Sequence, residues 1–494
     1  MNTYINQLIY YAFQHHMIEA EDKNYAINLL LDLFHIKDFH EENIKGEICC
    51  REVLDHMLDY AVEKGLIEDT ITQRDLFDTR IMNCVMPRPS EVIRDFQYHY
   101  EHSPKEATDA YYQLSKASQY IRQDRTDKNI RFQHASPYGN LEITINLSKP
   151  EKDPKEIAKA KLIKKSNYPK CALCKENVGF SGDLQRAARQ THRIIPIHLG
   201  DTDYYLQYSP YAYYNEHCIV LNKEHIPMQI NKDTFVHLLD FVTKFPHYML
   251  GSNADLPIVG GSILTHDHYQ GGCYSFPIQH AKVIETISLK DYPHLKIEIL
   301  RWPLSTIRVT SANKQEMIDY ACHVLDRWID YNNESLDILA YSNTTRHNTI
   351  TPIARRVGDD YQMDLVLRNN RTSEQYPDGI FHPHQNLHHI KKENIGLIEV
   401  MGLAILPARL KTELQDIKDS LLAHKEILEG EALQKHQDWY QELKVKQSEY
   451  EDIDDLIKDQ LTVIFTHVLE DAGVFKMNEK GIQAFIKFVK EEDK

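Results

Sequence analysis

The stretch "GGSILTHDHYQGG", residues 260–272, holds two histidines one residue apart, a glutamine two residues after the second, and a glycine pair at each end. If the backbone is extended here, His266, His268 and Gln270 share one face and Asp267 points away. Imidazole can bind a metal, move a proton or attack an electrophile. Three interpretations therefore stand: ordinary hydrogen-bonded histidines in a sheet, two ligands of one metal, or a catalytic row that the glycines leave open to close approach.

The composition indicates a folded globular protein of more than one domain. The chain has 494 residues, of which 42% are hydrophobic and 26% charged, and a chain of this length predicts two or three domains. The formal net charge of −16 excludes a general nucleic-acid binder, which would show a basic surface. It leaves room for an anionic small-molecule substrate bound by a local cluster of basic residues.

The chain shows no signal for secretion or for a membrane. No basic residue precedes Lys23, and no run of eighteen apolar residues occurs, so we expect neither a leader nor a membrane span. Eight cysteines are too few for a disulfide scaffold in a chain this long. We therefore expect a cytoplasmic protein with reduced thiols, in which a Cys-x-x-Cys pair indicates metal or redox chemistry.

Hydrophobic spacing divides the chain into helical ends and a strand-rich centre. The first 130 or so residues show helical spacing, as in "YAINLLLDLFHI", and helical spacing returns after Pro407. Between them, "LEITINLS", "LKIEILRW", "TIRVTS", "YQMDLVLRN" and "IGLIEVMGLAILP" read as strands. The sequence predicts a largely antiparallel sheet between residues 138 and 407.

The pair Cys171 and Cys174 in "CALCKEN" has the spacing of two ligands on one tetrahedral ion. The chain has no second Cys-x-x-Cys pair, so histidines must complete any such site, and His225 and His266 are candidates. From the spacing alone, a zinc site and a pair of structural thiols are about equally expected.

Four further segments concentrate histidine or arginine. "FHPHQNLHHIKK" is interpreted either as a metal or phosphate site or as a solvated turn, and the arginine-rich segments either as an anion pocket or as solvated faces. The histidines are His382, His384, His388 and His389; the arginines are Arg346, Arg355, Arg356, Arg368 and Arg371, with a second basic patch at Arg186, Arg189, His192 and Arg193.

The order of these motifs resembles galactose-1-phosphate uridylyltransferases, a branch of the histidine-triad superfamily. The resemblance begins with Cys171, Leu173, Cys174, Asn177, Gly182 and Asp183, continues in "VLNKEHIPMQI" and reaches "GGSILTHDHYQGG". It covers residues 138–407. The helical N-terminal segment and the tyrosine-rich "YYLQYSPYAYYNEHC" resemble the type 2 form known from Gram-positive bacteria.

The chain departs from the family pattern at three points. Asp267 stands where the more familiar segment has proline, the serine-to-histidine spacing is one residue longer, and Leu403 and Ala404 follow Gly402 where Tyr-Glu often stands. The nucleophile and metal assignments therefore transfer better than the contacts with the nucleotide.

The resemblance implies an α+β fold with a histidine-triad-like, mostly antiparallel sheet core in two related halves and with helical extensions at both ends. We predict four segments. These are a helical extension (1–137), a first catalytic half with both motifs (138–290), a second half (291–407) and a helical C-terminal extension (408–494).

The resemblance also implies a reaction, UDP-glucose with galactose 1-phosphate giving glucose 1-phosphate and UDP-galactose. By position in the motif, His268 is the nucleophile of a double displacement through a uridylyl-histidine, and Gln270 takes the place that is histidine in the superfamily's hydrolases. An amide can donate a hydrogen bond to a phosphoryl oxygen but cannot act as an acid near neutral pH. Because a sugar phosphate leaves without a strong acid, glutamine favours transfer over hydrolysis.

The implied metal site is a closed, structural zinc site formed by Cys171, Cys174, His225 and His266. A second, unassigned metal near His382, His384 and His389 is a further candidate. The implied substrate contacts are Asn253 and Ser262, with diphosphate charge offset by arginines among Arg186, Arg189, Arg355 and Arg371.

The implied partners are UDP-glucose, UDP-galactose and hexose 1-phosphates, with no nucleic acid and no membrane, and the family leads us to expect a homodimer. Two alternatives compete with this interpretation. One is another nucleotide phosphorylase or hydrolase of the superfamily, and the other is a zinc-stabilised binding or scaffold protein.

Overall fold

The computed structural model describes residues 1–148 and 166–491. The N-terminal segment is helical, as predicted. The helices are α1 (Asn2–Gln14), α2 (Lys23–Leu33), α3 (Cys50–Glu63), α4 (Ile71–Asn83), α5 (Pro89–His102), α6 (Pro104–Ala117) and the single turn α7 (Gln123–Thr126).

A ten-stranded antiparallel sheet forms the centre of the molecule. Its strands are β3 (Ile195–Leu199), β4 (Thr202–Tyr208), β5 (Cys218–Asn222), β6 (Met249–Gly251), β7 (His268–Gly272), β8 (Val283–Ile287), β9 (Lys296–Leu300), β10 (Thr306–Ser311), β13 (Asn348–Val357) and β14 (Asp360–Asn369). Their order is β3-β4-β5-β7-β6-β13-β14-β10-β9-β8. The predicted α+β class with a largely antiparallel sheet is confirmed.

The strand order contains a topological repeat. From each edge inwards the order is first, second, third, fifth, fourth, as β3-β4-β5-β7-β6 and as β8-β9-β10-β14-β13. Each half carries a helix between its third and fourth strands, α8 (Lys232–Lys244) and α9 (Lys314–Ile329). The change from one half to the other lies between Gly272 and Val283. The pairing of β6 with β13 makes the halves one sheet.

The sheet is buried on both faces. One face packs against α5, α6, α8 and α9, and tyrosine hydroxyls tie the N-terminal helices to it: Tyr111 donates to the carbonyl of Arg193 at 2.5 Å and Tyr208 to that of Thr108 at 2.9 Å. The other face packs against the C-terminal part of the chain. Because directly paired residues point to the same face, this second face carries the side chains of His268 and Gln270.

The C-terminal layer combines a small sheet with helices. The sheet pairs β1 (Ile130–Ser136), β2 (Gly139–Ile145) and β15 (Leu403–Leu406), with β2 and β15 parallel. A two-stranded hairpin, β11 (Tyr341–Ser342) and β12 (Thr345–Arg346), lies apart. The helices of this layer are α10 (Leu397–Val400), α11 (Leu410–Leu422), α12 (Gln437–Lys446) and α13 (Ile453–Ala472). The last helix, α14 (Glu479–Lys490), packs instead on the first face, where the Phe488 ring lies 5.6 Å from the Trp328 ring of α9.

One predicted strand is only half correct. In "IGLIEVMGLAILP" the first residues form the helical turn α10, and only Leu403–Leu406 forms a strand. The Glu399 side chain accepts a hydrogen bond from the backbone N–H of Gly396, which caps the turn. The continuous apolar character of this segment fits a buried strand or a buried turn equally well. Within residues 1–148 and 166–491, no helix has the length and apolar character needed to cross a bilayer.

Candidate active site and metal centre

Four side chains from three separate segments of the sequence meet at one end of the sheet. The ligand atoms of Cys171, Cys174, His225 and His266 all lie within 4.8 Å of one another. The two Sγ atoms are 3.5 Å apart, and Nδ1 of His266 and of His225 lie 3.2 Å from Sγ of Cys171 and of Cys174. Two thiols and two imidazoles at these distances fit a tetrahedral ion, and this donor set is typical of zinc.

Outer contacts hold these donors in place. Nε2 of His266 donates to the backbone carbonyl of Asn222 at 2.8 Å, which leaves Nδ1 free to face the group. The Asn177 amide donates to the carbonyls of Cys171 and Cys174. Burial raises the pKa of the Cys171 thiol to about 11, so binding of a cation must displace its proton. The four residues could hold a metal ion, as the sequence predicts.

His268 opens β7 and is buried. Its Nδ1 lies 2.8 Å from the backbone carbonyl oxygen of His266. A carbonyl only accepts, so Nδ1 carries the proton and Nε2 presents a lone pair. Burial lowers the pKa of His268, which favours the neutral ring. The backbone of His266 thus supplies the acceptor that fixes this tautomer.

Gln270 stands in a row of side chains that crosses the sheet. Successive direct pairs join Gln207, Ile219, Gln270, Gly251 and Ile353. Leu397 fills the space that a side chain on Gly251 would need, since its methyl group would lie 2.8 Å from an added Cβ. Beside Gln270, a Cβ on Gly271 would lie 2.3 Å from the carbonyl oxygen of Met249. Close packing of the backbone thus explains these glycines.

Asp267 points to the opposite side from the two histidines, as the extended backbone predicts. Its carboxylate accepts from the hydroxyl of Tyr204 at 2.7 Å and from the amide of Asn222 at 3.2 Å. Its backbone N–H donates to the carbonyl of Ile226 at 2.7 Å. These three hydrogen bonds therefore hold Asp267, and with it the backbone between His266 and His268, in place.

The two predicted polar substrate contacts lie in the loop before β7. Asn253 is buried, and its Oδ1 accepts from the backbone N–H of Leu397 at 2.9 Å. Its Nδ2 lies 2.7 Å from the Cβ position of Gly261, next to Ser262, which is exposed. Asn253 thus connects this loop to the turn α10.

Three of the four predicted arginines take protein partners. Arg186 pairs with Asp183 at 2.6 Å, and Arg371 donates to the carbonyl of Asp337 at 2.8 Å. Arg355 is 5% exposed and pairs with Asp364 at 2.7 Å. The structure thus places Arg355 in a buried ion pair instead of an open anion pocket, and it does not bring the three arginines together.

The histidine side chains of "FHPHQNLHHIKK" do not converge on one point. Nδ1 of His382 lies 3.2 Å from the carbonyl of Pro383, Nε2 of His384 lies 3.1 Å from that of Ile380, and Nδ1 of His389 lies 2.8 Å from Nδ1 of His436. Within the described residues, the Cys171 group is the one cluster of metal-binding side chains. The second metal predicted for these histidines therefore finds no group of donors here.

Sequence reasoning missed a set of unpaired polar groups, of which Gln207 lies on the His268 face of the sheet. The Tyr120 hydroxyl, both ring nitrogens of His192 and Oε1 of Gln207 are buried without hydrogen-bond partners in the described part of the chain. The Tyr120 and His192 rings stack at 5.0 Å, and Arg189 lies 5.7 Å from the Tyr120 ring. The sequence placed His192 in a basic patch, but no sequence pattern indicates that His192 lies near Tyr120 or Gln207.

A cavity of about 480 Å³ lies beside this site. Its lining includes Tyr213 and Tyr214 but neither His268 nor Gln270. Both tyrosine rings pack on His217, at 5.6 and 4.5 Å. His217 in turn contacts Gln270, so the cavity is separated from Gln270 by this packed aromatic group.

Two family models match almost the whole chain. The N-terminal domain of galactose-1-phosphate uridyl transferase matches residues 16–227, and the C-terminal domain matches residues 241–441.

Full-length relatives agree with these matches. Proteins named galactose-1-phosphate uridylyltransferase are 53% identical in Clostridium acetobutylicum (99% of each chain), 51% in Caldanaerobacter subterraneus (98% of this chain, 97% of the relative) and 48% in Bacillus subtilis (98% and 96%). A crystal structure of yeast Ap4A phosphorylase Apa2 aligns with a TM-score of 0.35 and 9% identity over 69% of this chain and 97% of that chain, a likeness too low to support an inference.

Proposed function

The chain belongs to the galactose-1-phosphate uridylyltransferase family, and we propose that it works by double displacement through a covalent uridylyl group on His268. It is a nucleotidyltransferase of galactose metabolism, which exchanges a uridylyl group between UDP-glucose and galactose 1-phosphate. The family membership sets aside the scaffold and hydrolase alternatives.

The observation that carries the proposal is the hydrogen bond from Nδ1 of His268 to the carbonyl of His266. It fixes the tautomer in which Nε2 holds the lone pair. Nε2 attacks the α-phosphorus of UDP-glucose, the bond to the bridging oxygen breaks, and the electron pair leaves with glucose 1-phosphate. A phosphate oxygen of galactose 1-phosphate then attacks the same phosphorus, and the phosphorus–nitrogen bond breaks to give UDP-galactose.

Gln270 supplies the amide that stabilises the transferring group. It lies two residues after His268 on β7, so both side chains share one face. Its NH₂ group donates to a non-bridging phosphoryl oxygen, whose charge grows in the transition state. It has no proton to deliver to the leaving group, and a phosphate monoester needs none.

We assign zinc to the Cys171, Cys174, His225 and His266 group, since two thiolates and two imidazoles favour it. When bound, zinc supplies structural stability here because protein fills all four positions. The residues themselves do the positioning: His266 joins the metal group through its ring and contacts His268 through its carbonyl.

The unpaired groups at Tyr120, His192 and Gln207 are proposed to receive the nucleoside. Gln207 is separated from Gln270 by one strand, in the same row, which corresponds to roughly 10 Å across the sheet. Buried polar atoms without partners are costly, and ribose hydroxyls and uracil edges offer both donors and acceptors. Asn253 and Ser262 remain our candidates for sugar or phosphate contacts, and Arg189 for phosphate charge. The predicted homodimer and cytoplasmic location also belong to this proposal.

The test is intact-protein mass spectrometry after mixing the protein with UDP-glucose alone. We expect a mass gain of one uridylyl group, lost when galactose 1-phosphate is added and absent in His268→Asn. His198→Asn is the matched control, since the side chain of His198 is 79% exposed on β3. An adduct on His268→Asn would refute the nucleophile, and wild type without adduct or exchange would refute the double displacement.

A further inference from the structure

We propose that His217 is a positioning residue that holds the Gln270 amide with its NH₂ group directed to the substrate. Nε2 of His217 lies 3.1 Å from Oε1 of Gln270. His217 directly precedes β5, which pairs with β7 so that Ile219 lies opposite Gln270. The inference rests on the proposed function, because it takes Gln270 as the donor to the phosphoryl group.

The amide of Gln270 needs such a partner because its two ends have nearly the same shape. With NH₂ toward the phosphoryl group it donates to a developing anion. Rotated by half a turn, it would present a carbonyl oxygen to the same anion, which would raise the barrier. A residue that recognises only the carbonyl end therefore decides whether Gln270 helps or hinders transfer.

The surroundings of His217 determine which ring nitrogen carries the proton. Its Nδ1 is buried and has no hydrogen-bond partner within the described residues. A buried N–H without an acceptor is rarer in proteins than an unpaired acceptor. The proton is therefore expected on Nε2, which donates to Oε1 of Gln270 and rejects its NH₂ end.

The ring of His217 has little freedom to turn away. It is 2% exposed and packs against the rings of Tyr213 and Tyr214. The Tyr214 hydroxyl donates to the carbonyl of Gly271 at 3.0 Å, which ties this aromatic group to the residue after Gln270. Burial lowers the pKa of His217 to about 4, so the ring stays neutral near pH 7 and keeps one donor and one acceptor.

Two substitutions of His217 distinguish the effect of its Nε2 hydrogen-bond donor from that of the rest of the ring. In His217→Gln the amide nitrogen can occupy the place of Nε2, whereas in His217→Asn it reaches only the place of Nδ1. For His217→Asn we expect the uridylylation rate constant to fall about 10- to 100-fold, with KM for UDP-glucose within about twofold, as for a contact made in the transition state. His217→Gln is expected to recover most of that loss.

A double-mutant cycle with Gln270→Ala tests whether His217 acts through Gln270. If it does, His217→Asn causes no further loss in the Gln270→Ala background. His217→Phe keeps the packing against the tyrosines and serves as a second variant if His217→Asn fails to fold. Thermal unfolding and metal content establish that each variant is intact.

Additive losses in the cycle, or equal losses in His217→Gln and His217→Asn, would overturn the positioning role while leaving the uridylyl-histidine in place. Absence of the adduct in wild type would instead overturn the proposed mechanism, and the role of His217 with it.

Discussion

The backbone carbonyl oxygen of His266 lies 2.8 Å from Nδ1 of His268, while the ring of His266 faces the cysteines of the metal group. In the mechanism proposed above, one residue therefore contributes its side chain to the metal group and its backbone to the tautomer of the nucleophile. Any change that moves the metal group also moves the acceptor that sets the tautomer of His268. Loss of the metal should therefore reduce both stability and uridylyl transfer. A change of the His268 ring alone should reduce transfer and leave stability intact.

Removal of the metal tests this coupling. We expect about one zinc ion per chain in the wild type, and Cys171→Ser should lower metal content, melting temperature and adduct formation together. Cys273→Ser is the matched control, since Cys273 is a free cysteine outside the group. Metal content by mass spectrometry and thermal unfolding are the measurements. Full adduct formation by metal-free Cys171→Ser would contradict the coupling.

The sheet explains why the metal group could not be derived from spacing alone. His225 follows the end of β5, and His266 precedes the start of β7. These strands are antiparallel neighbours, with Leu221 opposite His268, so the end of one meets the start of the other. Sequence spacing reveals neither the strand order nor the register, so it left His225 and His266 as candidates beside the cysteine pair, and the family resemblance joined the four residues into one site.

The same limit applies to the rest of the site. Periodicity predicted the helical ends and most strands, because amphipathic spacing reflects burial. It could not show that Gln207 and Gln270 share a row, or that Arg355 pairs with Asp364, since both depend on register. The roles of the site residues and the predicted segment boundaries at 137, 290 and 407 stay predictions.

Gln270→Glu tests the amide as a donor. A carboxylate at this position can still accept from His217, but it offers no hydrogen to the phosphoryl oxygen and brings like charge to it. We expect kcat for uridylyl transfer to fall by about 10²- to 10³-fold with the fold intact. Single-turnover kinetics with UDP-glucose measure it. Gln362→Glu, a change of the same type on β14, is the control, and wild-type rates in Gln270→Glu would reject the donor role.

Asp267→Pro tests the departure from the family's more familiar segment. Proline has no N–H to donate to the carbonyl of Ile226, and it removes the carboxylate that accepts from Tyr204 and Asn222. Loss of these buried hydrogen bonds should lower the free energy of unfolding by about 3 kcal/mol or more. Asp267→Asn keeps the N–H and an acceptor and should cost about 1 kcal/mol. Denaturant unfolding measures both, and equal stability of the two variants would contradict this account.

Three histidines whose pKa values are lowered in the folded chain should make stability depend on pH. Burial lowers the pKa of His217 and of His389 to about 4 and that of His192 to about 3, whereas each titrates near about 6.5 in the unfolded chain. Between these values the unfolded chain binds more protons than the folded chain. The stabilisation from these neutral rings is therefore complete above about pH 6.5 and is lost as the pH falls toward 4.

His389→Gln isolates one of these contributions. His389 contacts His436 far from the metal ligands in sequence, so its replacement should leave metal content unchanged. Between pH 5 and 6 the free energy of unfolding should depend on pH less steeply in the variant, by up to one proton or about 1.4 kcal/mol per pH unit. Urea unfolding at pH 5, 6 and 7 measures this slope, with the exposed His198→Gln as control. Because a histidine that titrates normally in the folded chain contributes no slope, an unchanged slope in His389→Gln would show that His389 is not held neutral by burial.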